Sequence, residues 1–207
     1  MSDDCCDIDE MTKDPKRQKA LRGVLWVALL INIAMFIVEF VGGILGNSNA
    51  LLADSADMLS DAFVYGVSLW ALAEDHHIKA QVSLVKGVLM SALGLLVLGE
   101  AVYKMLVPSL PEAGLVYTLG FVALVANLMA VFLLFQFRNE DLNVKSAWLC
   151  SRNDVLGNVA VITGGFLVLY LGSMWPDIVV GVSIAFVVLW SSVGIIRDSI
   201  PHIKHKQ

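Results

Sequence analysis

Ala50-Leu51-Leu52-Ala53-Asp54-Ser55-Ala56-Asp57-Met58-Leu59-Ser60-Asp61-Ala62-Phe63 sets three carboxylates into an otherwise apolar run of sequence. On a helix, Asp54, Asp57 and Asp61 stand at i, i+3 and i+7 and share one face. If the run crosses a bilayer, an ionised carboxylate near mid-depth costs about 2.5–3.5 kcal/mol on an insertion scale. Three on one stripe imply that something positive meets them.

The rest of the chain says that the run does cross a bilayer. Of 207 residues, 57% are hydrophobic and 16% charged, against roughly 25% charged in soluble domains. A water-soluble fold could not hide that much apolar surface, so the class is an all-α, polytopic membrane protein. The lipid bilayer is its first partner. Lys and Arg form no dense run, which argues against a nucleic-acid partner. The first 22 residues are charged and begin acidic, unlike a secretory signal. Three cysteines, two of them the adjacent Cys5 and Cys6, make no disulfide framework and suit a reduced, cytosolic tail.

Six apolar segments follow, at 24–45, 51–73, 83–107, 114–137, 147–171 and 177–197, each near the roughly 20 residues of a spanning helix. Gly42-Gly43 and Gly46 to Asn49, Glu74 to His77, Pro108 and Pro111, Arg138 to Asp141, and Gly172 to Pro176 break them apart. The expected organisation is a tail at 1–22, a six-helix transmembrane domain at 23–198 and a tail at 199–207, too short for a folded domain. Lys13, Lys16, Arg17, Lys19 and Arg22 precede segment 1, Lys79 follows segment 2, Arg138 and Lys145 follow segment 4, and Arg197, Lys204 and Lys206 follow segment 6. The positive-inside bias therefore puts both termini in the cytoplasm.

Segment 5 repeats the pattern of segment 2. At a constant offset, Ala50 meets Ala147, Leu52 meets Leu149, Asp57 meets Asp154, Leu59 meets Leu156, and Asp61 meets Asn158. Identities of Leu and Ala are common by chance in apolar sequence; the alignment of two polar pairs is the informative part. It suggests a 3+3 inverted repeat, a plan used by transporters. With segment 2 running inward and segment 5 outward, Asp57 shares a level with Asn158 and Asp61 with Asp154. The i,i+4 spacing keeps each pair on one face, about 6 Å apart along the axis. Four oxygen donors around one point form a cage for a divalent cation. A lone intramembrane Asp is as readily a structural hydrogen-bond partner, and that reading suits Asp54 taken alone. Two matched pairs with no Lys or Arg at their depth favour function.

Weaker features surround this set. Cys5 and Cys6, with Asp7, Asp9 and Glu10, and the pair His76-His77 beside Glu74 and Asp75, could catch metal at the cytosolic mouth, or could be plain solvated sequence. Glu39 in segment 1, with Asn32 at i−7, faces the bundle and could aid proton passage or make an interhelical hydrogen bond. Glu100 and Lys104 at i,i+4 read as a salt bridge, Asn127 as interhelical glue, and Arg152 as a side chain snorkelling away from Asp154.

Ser48-x-Ala50-Leu51-Leu52-Ala53-Asp54 followed by Asp57-x-x-x-Asp61, with a second acidic pair on segment 5 and six spans, resembles the cation diffusion facilitators. The resemblance implies a metal-ion/proton antiporter exporting divalent transition metals, most often zinc, from the cytosol. It puts the ligands on helices 2 and 5, here Asp57, Asp61, Asp154 and Asn158, with Asp54 and Glu39 as accessories. It implies a transporter rather than an enzyme, with the metal as cargo and no resident cofactor, in a multi-pass location such as the bacterial inner membrane. Two departures stand out: the common zinc-type members place His in these pairs, and the usual C-terminal metal-sensing dimerisation domain is missing. The resemblance is thus to the short branch of the family, with a homodimer formed through transmembrane helices. Three carboxylates and an amide are hard donors that suit Mn²⁺ or Fe²⁺ more than Zn²⁺; resemblance still ranks zinc first. Crowded carboxylates would hold protons when empty and exchange them for the cation. The rival from another class is an intramembrane aspartyl protease using Asp61 and Asp154 as its dyad. No Tyr-Asp or Gly-x-Gly-Asp context supports it, and a protease has no use for the second partner on each helix.

Overall fold

The computed structural model describes residues 15–71, 76–137 and 142–204. Six helices fill them: α1 (Pro15–Leu45), α2 (Asn49–Ala71), α3 (His76–Leu106), α4 (Ala113–Phe135), α5 (Leu142–Leu171) and α6 (Trp175–Lys204). No strand occurs among the described residues. Each of the six apolar segments falls on one of these helices, and α1, α3, α5 and α6 outrun theirs. α1 begins at Pro15 rather than near residue 24, α3 at His76 rather than 83, and α6 runs on to Lys204. Apolar counting sees only the part of a helix that needs lipid; polar turns beyond it continue the same hydrogen-bond ladder. Lys16, Arg17, Lys19 and Arg22 consequently stand exposed on α1 itself. We call the end of the bundle carrying them the basic end and the opposite one the far end.

Short connections alternate the helix directions. Gly172 closes α5 with φ +59°, a left-handed conformation glycine adopts without a Cβ clash, and its N–H donates to Val168 O at 2.9 Å. Pro108 and Pro111 fall between α3 and α4, where a missing N–H costs no helix bond.

Five helices, all but α2, are long and apolar enough to cross a membrane. α2 falls short of that description, and its sequence supplies the reason: Asp54, Asp57 and Asp61 all lie in its first fourteen residues. Packing resolves the conflict. α2 touches every other helix of the bundle, with α1, α4 and α5 on one flank and α3 and α6 on the other. Met58 packs with Met35 of α1 and Ala123 of α4, Ala50 and Leu51 with Val116 of α4 and Val161 of α5. On the other flank Ala53 packs with Val97 and Ala185, and Ala56 with Met90 and Val188. The acid-bearing helix is the central one, contacted by all five others.

The outside is the reverse of a soluble protein. Trp26, Leu30, Phe132, Leu156, Tyr170 and Trp190 are each more than half exposed, while Glu39, Asn127, Asn158 and Asp177 are completely buried. Polar groups inside and apolar groups outside are what a hydrocarbon solvent selects. The protein is an all-α, polytopic membrane protein.

Candidate metal site between helices 2 and 5

Register between α2 and α5 is set by three contacts. At the far end Val161 packs on Ala50 and Leu51. One turn inward, a carboxyl oxygen of Asp54 lies against Gly157, 3.6 Å from where a Cβ would stand. Toward the basic end the hydroxyls of Tyr65 and Ser151 meet in a short hydrogen bond. Asp57 and Asp61 fall between these contacts on α2, Asp154 and Asn158 between them on α5. Asp61, Asp154 and Asn158 are buried and Asp57 half-buried.

Glycine at 157 matters here because a side chain would press on the Asp54 carboxylate. Tyr65, one turn from Asp61, also donates to Asp61 Oδ2 at 3.4 Å. Sequence reading missed Tyr65, although the i,i+4 step that linked Asp57 to Asp61 leads straight to it.

The four predicted ligands thus lie on α2 and α5 between the same helix–helix contacts, without forming a coordination sphere. Among the described residues no three of His, Cys, Asp and Glu gather closely enough to hold a metal ion. Both amide atoms of Asn158 lack a hydrogen-bond partner although the side chain is completely buried. An orphaned buried amide is costly, about 1–3 kcal/mol, and is the mark of a group whose partner arrives from elsewhere.

The accessory candidates divide. Asp54 and Glu39 are fully buried, and both Glu39 oxygens and Asp54 Oδ2 lack a hydrogen-bond partner. Asn32 is buried on the same face of α1 and donates to Ala28 O at 3.0 Å. Asn127 reaches from α4 to Met58 Sδ at 3.9 Å, the interhelical contact expected of it. Arg152 is exposed and lies over the Trp148 ring at 5.5 Å, on the lipid side rather than in the site. His76 and His77 begin α3 rather than a loop, and their side chains lie outside the described residues. Cys5, Cys6, Glu74 and Asp75 lie outside them altogether.

Lys104 corrects the expected local ion pair. It turns to Asp177 of α6, Nζ to Oδ2 3.6 Å, and donates to Asn47 O, rather than pairing with Glu100. Asp177 also accepts Ser48 Oγ–H at 2.5 Å, Asn49 N–H at 2.7 Å and Ala50 N–H at 3.3 Å. Ser48 in turn caps α2, its Oγ accepting Leu51 N–H at 3.1 Å. A carboxylate at the positive end of the α2 dipole, with a lysine beside it, anchors the far end of the acid-bearing helix to α3 and α6. Asn47 Nδ2 donates to Ser109 Oγ at 2.6 Å and Glu112 N–H to Gly46 O at 2.8 Å, tying the same end to the α3–α4 connection.

An apolar groove of about 400 Å³ lined by Leu29, Ile33, Leu59 and Phe63 runs between α1 and α2. It carries no charged group and is separate from the buried acids.

A family model described as the cation efflux transmembrane domain matches residues 25–203. The chain belongs to the cation efflux family. It is 29% identical over 195 residues to a cadmium, cobalt and zinc/H(+)-K(+) antiporter of Bacillus subtilis (strain 168), covering 87% of this chain and 63% of that one. Against the metal cation efflux system protein CzcD of Cupriavidus metallidurans, identity is 26%, covering 86% of this chain and 62% of the relative. Against the zinc transporter ZitB of Escherichia coli (strain K12), it is 26%, covering 85% and 60%. The chain thus spans about six-tenths of the length of these curated relatives.

Proposed function

We propose that this cation efflux protein moves divalent transition-metal ions, zinc first, out of the cytosol in exchange for protons. The ion is held by Asp57, Asp61, Asp154 and Asn158. The observation that carries the reading is the burial of Asp61, Asp154 and the partnerless Asn158 amide between two helices of a lipid-facing bundle. The relatives' names, which include antiport and zinc transport, point the same way.

In this reading the described conformation is an open one, with the ligands still apart. Loading brings α2 and α5 closer around the ion, and the ion neutralises carboxylates that would otherwise hold protons. Release on the other side follows when protons return and α2 and α5 part. Both termini face the cytosol, the location is a bacterial inner membrane, and the working unit is a homodimer through transmembrane helices. The all-oxygen donor set favours a second reading within the family, selectivity for Mn²⁺ or Fe²⁺.

The test uses purified protein in liposomes, with metal-sensitive and pH-sensitive dyes inside. Zinc, manganese and ferrous ion are offered in turn under imposed proton gradients of either sign. The expected result is metal flux that accelerates with an opposing proton gradient, accompanied by proton movement. Metal flux that ignores the gradient removes antiport; no flux of any divalent ion removes the transport reading.

A further inference from the structure

The apolar groove between α1 and α2 belongs to neither the cation site nor the far-end anchor. Its walls are Leu29 and Ile33 of α1 with Leu59 and Phe63 of α2, beside the small residues Ala62 and Gly66. At about 400 Å³ it falls in the range of ligand clefts, about 300–1,000 Å³. Gly66 lies inside α2, where glycine is less favourable than alanine. No protein atom comes within 4 Å of where its Cβ would stand, so packing inside the chain does not call for a glycine there. The missing side chain leaves room for something outside the chain.

The residues toward the basic end indicate what that is. Arg22, Trp26, Leu29 and Ile33 follow one another on α1 at steps of 4, 3 and 4 and form one stripe, with Lys19 one turn beyond Arg22. Lys19 and Arg22 are exposed, and Trp26 is more than half exposed. At 1.5 Å per residue, Arg22 stands about 16 Å from the level of Ile33. One leaflet of hydrocarbon is about 15 Å deep, half of the roughly 30 Å core. An acyl chain that begins under Arg22 therefore reaches the foot of the groove as it reaches the midplane, and Trp26 falls where interfacial tryptophans gather. No acid stands between Pro15 and Val38 of α1 or between Ala62 and Ala71 of α2, so neither stretch offsets the positive charge at the head of the groove. A second copy is a poorer occupant, because a two-fold axis along the membrane normal would set Arg22 opposite Arg22 at one depth. An anionic headgroup meets the same charge favourably.

We propose that the α1–α2 groove seats an acyl chain of one anionic phospholipid, whose headgroup is held by Arg22 and Lys19. The phosphate accepts from the guanidinium and the ammonium, while the chain packs on Leu29, Ile33 and Phe63 and passes over Gly66. The assignment is independent of the transport reading.

Native mass spectrometry of the full chain in detergent micelles counts bound lipid over a titration. Phosphatidylglycerol and phosphatidylcholine with identical chains are compared on wild type, Gly66→Leu and the double variant Lys19→Gln/Arg22→Gln. Wild type is expected to hold one phosphatidylglycerol about thirtyfold more tightly than phosphatidylcholine, about fivefold for each basic residue. The double variant should lose that preference and still bind phosphatidylcholine as wild type does. Gly66→Leu, whose Cβ meets no protein atom, should weaken both lipids at least about tenfold. Glycerol phosphate, a headgroup without chains, should not compete at equal concentration. Equal affinity of wild type for the two lipids overturns the proposal, and that result needs no variant to fold. Unchanged lipid binding in Gly66→Leu removes the groove as the seat of the chain, and competition by glycerol phosphate does the same by leaving free phosphate as the ligand. If Gly66→Leu splits a dimer while lipid stays bound, the groove is an interface between copies and the proposal fails.

Discussion

Two buried carboxylate neighbourhoods flank α2, and they are opposites. At its far end Asp177 collects a hydroxyl, two backbone N–H groups and an ammonium. One helical turn farther along α2, buried Asp54 leaves Oδ2 without a donor, and on α1 neither oxygen of buried Glu39 meets one. Residue type and burial are alike in the two places; the supply of donors is not. A carboxylate whose lone pairs are filled by its own chain is an anchor, because nothing more can bind without breaking those bonds. One starved of donors keeps its affinity for a proton or a metal ion. In a membrane protein unsatisfied polar groups are costly, so a difference in donor supply is the feature by which the two places can be tested.

The sharpest way to break the comparison is to set the anchor Asp177 against Asp61, a proposed cation ligand. Asp61→Ala should abolish metal uptake into liposomes, a loss of at least about 100-fold, since even partners of metal ligands commonly cost 10–100-fold. Its thermal midpoint in detergent should move little, because removing a buried charge also removes its desolvation penalty. Retained uptake would remove Asp61 from the cation site. Asp177→Asn should behave the other way, lowering stability by about 3–5 kcal/mol because Lys104 is left buried beside a neutral amide. The new NH₂ group would also confront donors or give up one of Asp177's acceptor oxygens. Uptake per folded molecule should stay within a few-fold of wild type. Adding Lys104→Met should recover much of the lost stability, as removal of both partners of a buried pair often does. If the double variant is no more stable than Asp177→Asn, the lysine is not what makes the loss severe.

What the sequence revealed and what it hid divide along the same physical line. The six helices were legible because each needs an apolar run long enough for lipid. The i,i+4 spacing of Asp57 and Asp61, and of Asp154 and Asn158, was legible because helical spacing is local. The repeat offset pairs α2 with α5, and the two helices do pack together. Hidden were the helix ends, where polar turns such as Lys16 to Arg22 continue α1 without an apolar signature. Hidden too was the partner of Lys104. Spacing offered Glu100 on the same helix, whereas the bundle offers Asp177, already fixed by the α2 N-terminus. A pre-positioned carboxylate outranks a neighbour on the same helix, and pre-positioning is tertiary. Asp177 itself reads in sequence as an ordinary acid in the first turn of its own helix; in the fold it completes the N-terminus of another.

The smallest predicted effect probes the boundary between the two kinds of place, at Tyr65. Its hydroxyl meets Ser151 of α5 and reaches Asp61 at 3.4 Å, so it is both a bridge between helices and a partner of a proposed ligand. Tyr65→Phe keeps the ring packed among Leu25, Ala28 and Leu134 and removes only the hydroxyl. As a bridge it should cost about 0.5–1.5 kcal/mol of stability, the net worth of a typical hydrogen bond. As a partner of Asp61 it should also weaken metal binding by about tenfold, the lower end of what such partners contribute. Calorimetric titration of metal into the variant, set beside its thermal midpoint, separates the two. A stability loss with unchanged metal affinity would class Tyr65 with Asp177 as an anchor. A loss of affinity would extend the working region one turn toward the basic end, past the last of the acids.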